Sequence, residues 1–488
     1  VKTVLIAVHQ GFAARFLLRT GILGELRRAG VRVVVLTPNH DEDYIRAELE
    51  DEGVALEPLR AASLPAGSRL WSLTFFLRQF TLAGGHRAAT LQGRYANHRR
   101  ALLRERPVVG RVVQLTLELL WRSAPLRRAL AGLEARLLLP RPHDDVFERH
   151  RPDLVVTTSP GWFLPDAVVL GEARRRGIGT AAAIMAWDNP TSKGYRCVEP
   201  DLVIAWSQKM AGELADLHDL RRARIAVGGV PHFDVYVNRD ELLPRERLFE
   251  DAGLDPQRRL VFFAARSPSS FGHNLAVARA LADAVESGAA GLPAQLVVRP
   301  HPINLRADHR DSLDAWRRLA AEHPHVHLDV PEIMSERLYC DMSPRDTRRL
   351  ASLVTHCDVL VNAFSTTTLE AFLVDRPVVL VSADAAGPGP GGASEPRRFE
   401  EDTHIQALVD RGAARVAGSL DELVDLVRLY LERPELDREA RVAAAEEECG
   451  PADGRSALRV AGELLELLDA APTAGDERRP AAAAAIRR

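Results

Sequence analysis

Cys357-Asp358-Val359-Leu360-Val361-Asn362-Ala363-Phe364-Ser365-Thr366-Thr367-Thr368-Leu369-Glu370-Ala371 is the stretch from which the fold can be read. Val359–Val361 is a short apolar run without alternation, the pattern of a strand buried on both faces by covering helices. A run of four hydroxyl residues follows and opens a helical pattern, so strand, turn and helix succeed one another as in a βα unit. This places Ser365 near an N-cap, with Ser365, Thr366 and Thr367 arranged to hold an anion such as a diphosphate at the strand's carboxyl end. Glu370, about one turn later, would reach ribose hydroxyls. Plain helix capping accounts for the same hydroxyl cluster.

Working outward, apolar runs at Leu260–Ala265, Gln295–Val298, Val326–Leu328 and Val378–Val381 alternate with helical patterns over 275–286, 346–357 and from Thr366. They predict a doubly wound parallel sheet, which binds ligands beyond the carboxyl ends of its strands. One such end is Arg299-Pro300-His301-Pro302. The two prolines restrict the backbone around His301, so its imidazole is held rigidly. It could donate to a diphosphate, become imidazolium beside it, or protonate a leaving phosphate oxygen. An inert surface histidine is the bland alternative. Arg299 beside it and Ser267, after the first strand of this series, are further candidate phosphate and nucleotide ligands.

A first α/β series precedes it: strands at Val1–Val8, Val31–Leu36, Asp153–Thr158, Thr180–Ala186 and Asp201–Trp206, with helices over about 13–28, from Asp43 and over 165–176. His9 ends the first strand and is a candidate general base, or a structural histidine; Arg15 and Arg19, one helical turn apart, are candidate acceptor-side anion ligands. The loop Ala186-Trp187-Asp188-Asn189-Pro190-Thr191-Ser192-Lys193-Gly194 crowds aromatic, carboxylate, amide, hydroxyl and ammonium groups directly after a strand. Asp188 could deprotonate an acceptor hydroxyl, Trp187 could stack on a sugar ring, and Asn189 and Lys193 would add contacts; the same residues also make good turns. Asp41-Glu42-Asp43 reads as helix N-terminal acids rather than a metal site.

The boundaries follow: a first domain over 1–236 interrupted by a helical insertion at about 61–142, a polar linker over 237–257, a second domain over 258–469, and a low-complexity tail over 470–488 expected to be disordered. Residues 85–141 carry twelve arginines against three glutamates and no aspartate, next to the aromatic stretch Leu70–Phe80. Both solvated helix faces and docking on an inner membrane surface fit this composition. The net charge of -3 gives no pull toward nucleic acid, and no P-loop (G-x-x-x-x-G-K-S/T) or dinucleotide fingerprint (G-x-G-x-x-G after the first strand) is present. Four scattered cysteines suggest neither zinc nor disulfides, the opening apolar run is too short for a signal sequence, and no run spans a bilayer, so a cytoplasmic protein is expected.

In order and spacing, Arg299-Pro300-His301-Pro302 and Asn362-Ala363-Phe364-Ser365-Thr366-Thr367-Thr368 resemble the loops of the GT-B superfamily of nucleotide-sugar glycosyltransferases, nearest to its CDP-glycerol glycerophosphotransferase and capsule polymerase branch. At the level of motifs the likeness covers Leu260–Asp384. Trp187-Asp188-Asn189 with Thr191–Gly194, and Val227–Asp234, also resemble segments of surface-polysaccharide transferases. The resemblance implies two Rossmann-like domains facing across a cleft, donor phosphates on His301, Ser365, Thr366 and Thr367, and no bound metal or cofactor, the nucleotide-activated sugar being a co-substrate. It implies a glycosyltransferase acting on a glycan or lipid-linked acceptor, with His9 or Asp188 as base. That branch places an aspartate and a tyrosine before the serines where this chain has Asn362-Ala363-Phe364, which favours a sugar over a glycerophosphate donor. A non-hydrolysing nucleotide-sugar 2-epimerase and a non-catalytic nucleotide-binding subunit are the alternatives.

Overall fold

The computed structural model describes residues 1–49, 53–60, 69–220, 224–306, 310–382, 385 and 401–470. The predicted tail beyond 470 and the start of the insertion, 61–68, lie outside them. Seven strands, β1 (Thr3–Ala7), β2 (Arg32–Thr37), β3 (Ala55–Pro58), β4 (Leu154–Thr157), β5 (Gly179–Ala183), β6 (Leu202–Ala205) and β7 (Ile225–Val227), form a parallel sheet in the order β3-β2-β1-β4-β5-β6-β7. The second domain contributes β8 (Arg259–Ala264), β9 (Ala294–Arg299), β10 (Val326–Leu328), a hairpin of β11 (Ile333–Ser335) and β12 (Asp341–Met342), then β13 (Val359–Asn362), β14 (Val378–Val381) and β15 (Arg415–Ala417). Its parallel sheet runs β10-β9-β8-β13-β14-β15. The strand order reverses between β1 and β4 and between β8 and β13, and crevices open at such switch points.

Period-two alternation divides each strand between two cores. Val4 and Ile6 face a continuous apolar cluster that also takes in Leu260, Phe262 and Leu360 of the second sheet, while Leu5 and Ala7 face a separate outer core. Val261, Phe263 and Val361 face the outer core of the second domain. The helix Ser456–Ala470 returns to the first domain, where Val460, Ala461, Leu464 and Leu468 join Ile22, Leu23 and Leu26. The segment 237–257 connects the two sheets and carries the helix Arg245–Ala252, which packs on the helix Pro344–His356.

One predicted helix divides. In place of a single helix over 13–28 there are two, Gly11–Leu17 and Ile22–Arg28. At the break Thr20 donates its hydroxyl to the Phe16 carbonyl, and the Arg19 guanidinium is bound by Glu48 (2.8 and 3.1 Å), Asp341 (2.6 Å) and the Met342 carbonyl (2.9 Å). Four charge-assisted contacts outweigh the single turn of helix lost.

The insertion is helical over Arg69–Gln79, Ala89–Glu105, Pro107–Arg122, Ala124–Leu133 and the π-turn Glu134–Leu138. It has its own small core around Phe80, Leu91, Tyr95, Leu117 and Trp121. A fully buried ion pair, Arg78 with Glu134 (2.8 and 2.9 Å), ties it to the domain: the other Arg78 nitrogen donates to the carbonyls of Gly161 and Tyr195, both at 3.1 Å.

Candidate functional site

At the end of β13 the buried Asn362 braces the turn: its Oδ1 accepts from the Ser365 N–H and its Nδ2 donates to the Thr368 hydroxyl, both at 3.0 Å. Phe364 sits in the left-handed region at φ 60°, costly for a bulky residue. Arg266, just beyond β8, holds it there by donating to the carbonyls of Ala363 (2.7 Å) and Phe364 (2.8 Å). The helix begins one residue later than the sequence suggests, over Thr367–Leu373, with Thr366 at the N-cap. The hydroxyl residues Ser365, Thr366 and Thr367 line a cavity between the domains. Glu370 lines it too, but its carboxylate already accepts from Arg15 (3.3 Å) and the Tyr236 hydroxyl.

His301 is fixed further than its prolines require. Its Nδ1 accepts from the Ile303 N–H at 3.2 Å, which puts the imidazole proton on Nε2 as a donor. Burial, seconded by the Arg266 charge, pushes its pKa down to about 4, so near neutral pH His301 is a neutral donor. Arg299 lines the cavity, with its charge committed to partners within the protein. Its guanidinium is buried between Asp329 and Asp346, an arrangement that fixes the end of β9 and leaves Arg266 as the guanidinium beside the hydroxyl loop. Ser267 lies next to it, its hydroxyl 2.9 Å from that of Ser269.

From the first domain, Asp188 faces the cavity with its carboxylate accepting from the Ser192 hydroxyl at 2.6 Å. Burial alone would raise its pKa, but the Lys193 ammonium, His404, the Ser192 hydroxyl and Arg266 together hold it below the usual carboxylate range. Asn189, Lys193 and Arg15 line the same space. Trp187 is pinned from the second domain: its indole N–H donates to Glu448 (2.9 Å) and His404 meets its ring edge-on at 4.7 Å. That anchors the loop, and Trp187 lines the second of the two chambers of the cleft. His9 lines neither chamber of the cleft; its ring lies against Phe163 and its Nδ1 is 3.3 Å from Asp166. Arg19, as above, is an interdomain tie.

The cavity measures about 390 Å³ and joins a second chamber of about 600 Å³ through Asp188, Lys193, His301, Ser365 and Thr366. The second chamber reaches Arg94 of the insertion, Trp187, Arg266 and Ser267. Four buried polar atoms without a hydrogen-bond partner belong to residues around the first chamber: Arg15 Nε, Asn189 Nδ2, His232 Nδ1 and Thr367 Oγ1. Unpaired polar atoms are costly in a protein interior. His232 is neutral as well, burial and the Arg15 charge holding its pKa well below the usual value. Sequence reading passed over Arg266 and His232. Arg266 follows a strand as His301 does, and His232 lies within Val227–Asp234.

The domains are clasped at one side of the cleft. The Gly11 N–H donates to the Tyr339 carbonyl at 2.7 Å, and a Cβ on Gly11 would lie 2.2 Å from the Cys340 carbonyl oxygen. Asp341 receives Arg19 and the Tyr44 hydroxyl, and Glu42 receives Arg337 at 2.7 Å, so the acidic string near 42 serves the interface as well as its helix. Among the described residues no group of three or more histidines, cysteines or carboxylates is placed to hold a metal ion, and no helix is long and apolar enough to cross a membrane.

Neither a family model nor a curated protein matches the sequence. Solved structures do. The S. aureus MnaA–UDP co-structure superposes with a TM-score of 0.53 at 12% identity, covering 96% of this chain and 97% of its own. UDP-GlcNAc 2-epimerase from Neisseria meningitidis, bound to UDP-GlcNAc, gives 0.52 at 11% identity, over 96% and 100%. UDP-GlcNAc 2-epimerase from Methanocaldococcus jannaschii gives 0.50 at 10%, over 96% and 100%. The two-domain GT-B-like architecture is thus shared along nearly the whole chain. At these identities the likeness establishes the fold alone.

Proposed function

We propose that this chain is a GT-B-type enzyme that binds a nucleoside-diphosphate sugar across the cleft and transfers the sugar to an acceptor hydroxyl. The carrying observation is the junction of the two chambers at Asp188, His301 and Ser365, which gives a donor and an acceptor separate rooms with one shared wall. The neutral His301 Nε2–H, the Arg266 guanidinium and the Ser365–Thr367 hydroxyls supply donors and positive charge where the diphosphate oxygens would lie. In transfer the acceptor oxygen bonds to the anomeric carbon, the bond from that carbon to phosphate breaks, and the nucleoside diphosphate leaves with its new charge on those donors. The acceptor proton passes to Asp188, already ionised by its cationic neighbours. Asn362 is the brace of its turn, and the hydroxyl loop lacks the acidic residue of the glycerophosphate-transferring enzymes whose loop it resembles, which favours a sugar donor.

The structural neighbours favour a second reading, 2-epimerisation of the nucleotide sugar, which needs proton transfer at C2 and no acceptor. Incubation with UDP-GlcNAc in D2O followed by NMR separates the two. Epimerisation deposits deuterium at C2 and produces the second epimer; a transferase leaves C2 protonated and releases UDP only with an acceptor. Binding comes first. A ligand at a hundred times its Kd adds about 2.7 kcal/mol to the stability of the native state, so a thermal-shift screen across nucleotides and their sugar conjugates that moves with none of them refutes both readings.

A further inference from the structure

The helix Pro107–Arg122 has two apolar faces. One, with Val113, Leu117, Leu120 and Trp121, is buried in the core of the insertion. The other, Val108, Val112, Leu115 and Leu119, recurs at i, i+4, i+7 and i+11 and is therefore a single stripe. It is open to solvent: these four side chains are 74%, 58%, 61% and 60% exposed. Arg111 and Arg122 fall along one edge of it by the same periodicity, both exposed and without a partner among the described residues. The next helix repeats the pattern, with Leu126 and Leu133 exposed seven residues apart and Leu137, 73% exposed, one turn later. Between residues 99 and 141 nine arginines are exposed and one acidic residue, Glu105.

From this we infer that the insertion is a docking surface for a bilayer rich in anionic lipid, on which the stripe enters the headgroup–acyl boundary and the flanking arginines meet lipid phosphates. An apolar ridge edged with cations is what an interfacial helix presents. Charge selects the occupant: a second copy would set nine arginines against nine, whereas anionic headgroups neutralise them. The insertion is also fastened to the cleft. The helix Ala89–Glu105 packs on the stripe-bearing helix, and its Arg94 donates to the Ser192 carbonyl and lines the second chamber. Resting on the transferase reading for this clause alone, docking brings the second chamber of the cleft to the membrane and names a lipid-linked acceptor.

The test is co-sedimentation of the full chain with vesicles of phosphatidylcholine alone or of equimolar phosphatidylcholine and phosphatidylglycerol, without substrate. Binding to the anionic vesicles alone is expected, abolished in about 0.5 M salt, where the Debye length falls to roughly 4 Å. The pair Arg111→Gln, Arg122→Gln should weaken it about 25-fold, roughly fivefold per arginine, and the pair Leu115→Ser, Leu119→Ser should remove it. All four side chains lie outside the cores, so thermal unfolding of the variants stays unchanged and reports that they fold. Absence of binding, or equal binding to neutral vesicles, overturns the inference. So does sedimentation velocity showing a dimer that the leucine variants dissociate. Nucleotide binding, measured separately, tells failure of docking from failure of the catalytic reading.

Discussion

His301→Ala tests the site through its least replaceable group. Without a bound anion the imidazole is neutral at pH 7, its pKa pushed down to about 4 from an ordinary 6.5, with burial the main cause and Arg266 the second. A diphosphate placed beside Nε2 reverses the balance and raises that pKa, so binding takes up a proton wherever the pH lies between the free and bound values. Affinity for UDP-GlcNAc, whose diphosphate diester has no group titrating in this range, should therefore tighten as the pH falls from 7 towards 5, by at most about tenfold per unit. The stability of the unliganded protein moves the other way. The unfolded chain protonates His301 near 6.5 while the native state refuses the proton until about 4, so stability falls through that window, by at most about 1.4 kcal/mol per pH unit. Removing the ring deletes one charge-assisted hydrogen bond, roughly 1.5 to 3 kcal/mol, a loss of about 10- to 150-fold in affinity. Isothermal calorimetry at two pH values, in buffers of different ionisation enthalpy, measures both the affinity and the proton count. Arg266→Gln serves as a companion, since without that charge the His301 titration midpoint should rise. Unchanged affinity in His301→Ala, or a wild-type protein that binds without proton uptake at pH 5.5, refutes the assignment.

Two further substitutions address the frame of the site. Gly11→Ala would set a methyl 2.2 Å from a backbone oxygen of the second domain, which cannot yield as a side chain does. The domains must part, at a cost of about 1 to 3 kcal/mol, with a larger radius of gyration in X-ray scattering and weaker nucleotide binding; an unchanged radius would show that the clasp does not set the closure. Arg78→Ala strands Glu134 in the interior and should destabilise the protein by about 3 to 5 kcal/mol in urea denaturation. Hydrogen exchange should quicken around Tyr195, whose carbonyl Arg78 holds, and protection equal to the parent's would sever the insertion from the recognition loop.

Strands β8, β9 and β13 were legible because a strand buried on both faces can only be an unbroken apolar run, and the loops after them inherit their importance from topology. Individual roles were not legible, because they depend on partners distant in the chain. Arg299 ends β9 and Arg266 follows β8, and nothing in the sequence around them foretells their partners; Asp329 and Asp346 neutralise the first, while the second is turned to the hydroxyl loop. Trp187 reads as a sugar platform, and nothing local foretells that Glu448, distant in the chain, takes its N–H. His9 lies two residues past the end of β1, and Phe163 and Asp166, from the loop and helix after β4, are its surroundings. The break at Leu17 was hidden for the same reason, since Arg19 is drawn out by carboxylates at 48 and 341.

The returning helix Ser456–Ala470 has a consequence for how the molecule is made. Lys2 donates to the Leu468 carbonyl and to Asp469, both at 2.9 Å, so the first strand and the last described helix are neighbours in space although 466 residues separate Lys2 from Leu468 in the chain. While the ribosome is still translating the second domain, the face of the first sheet that Val460 and Leu464 will cover has no cover. The first domain therefore cannot finish folding as an independent vectorial unit. Its nascent form carries an uncovered apolar face of the aggregation-prone kind, and a fragment ending before Ser456 should show lower solubility and stronger binding of an apolar dye than the full chain.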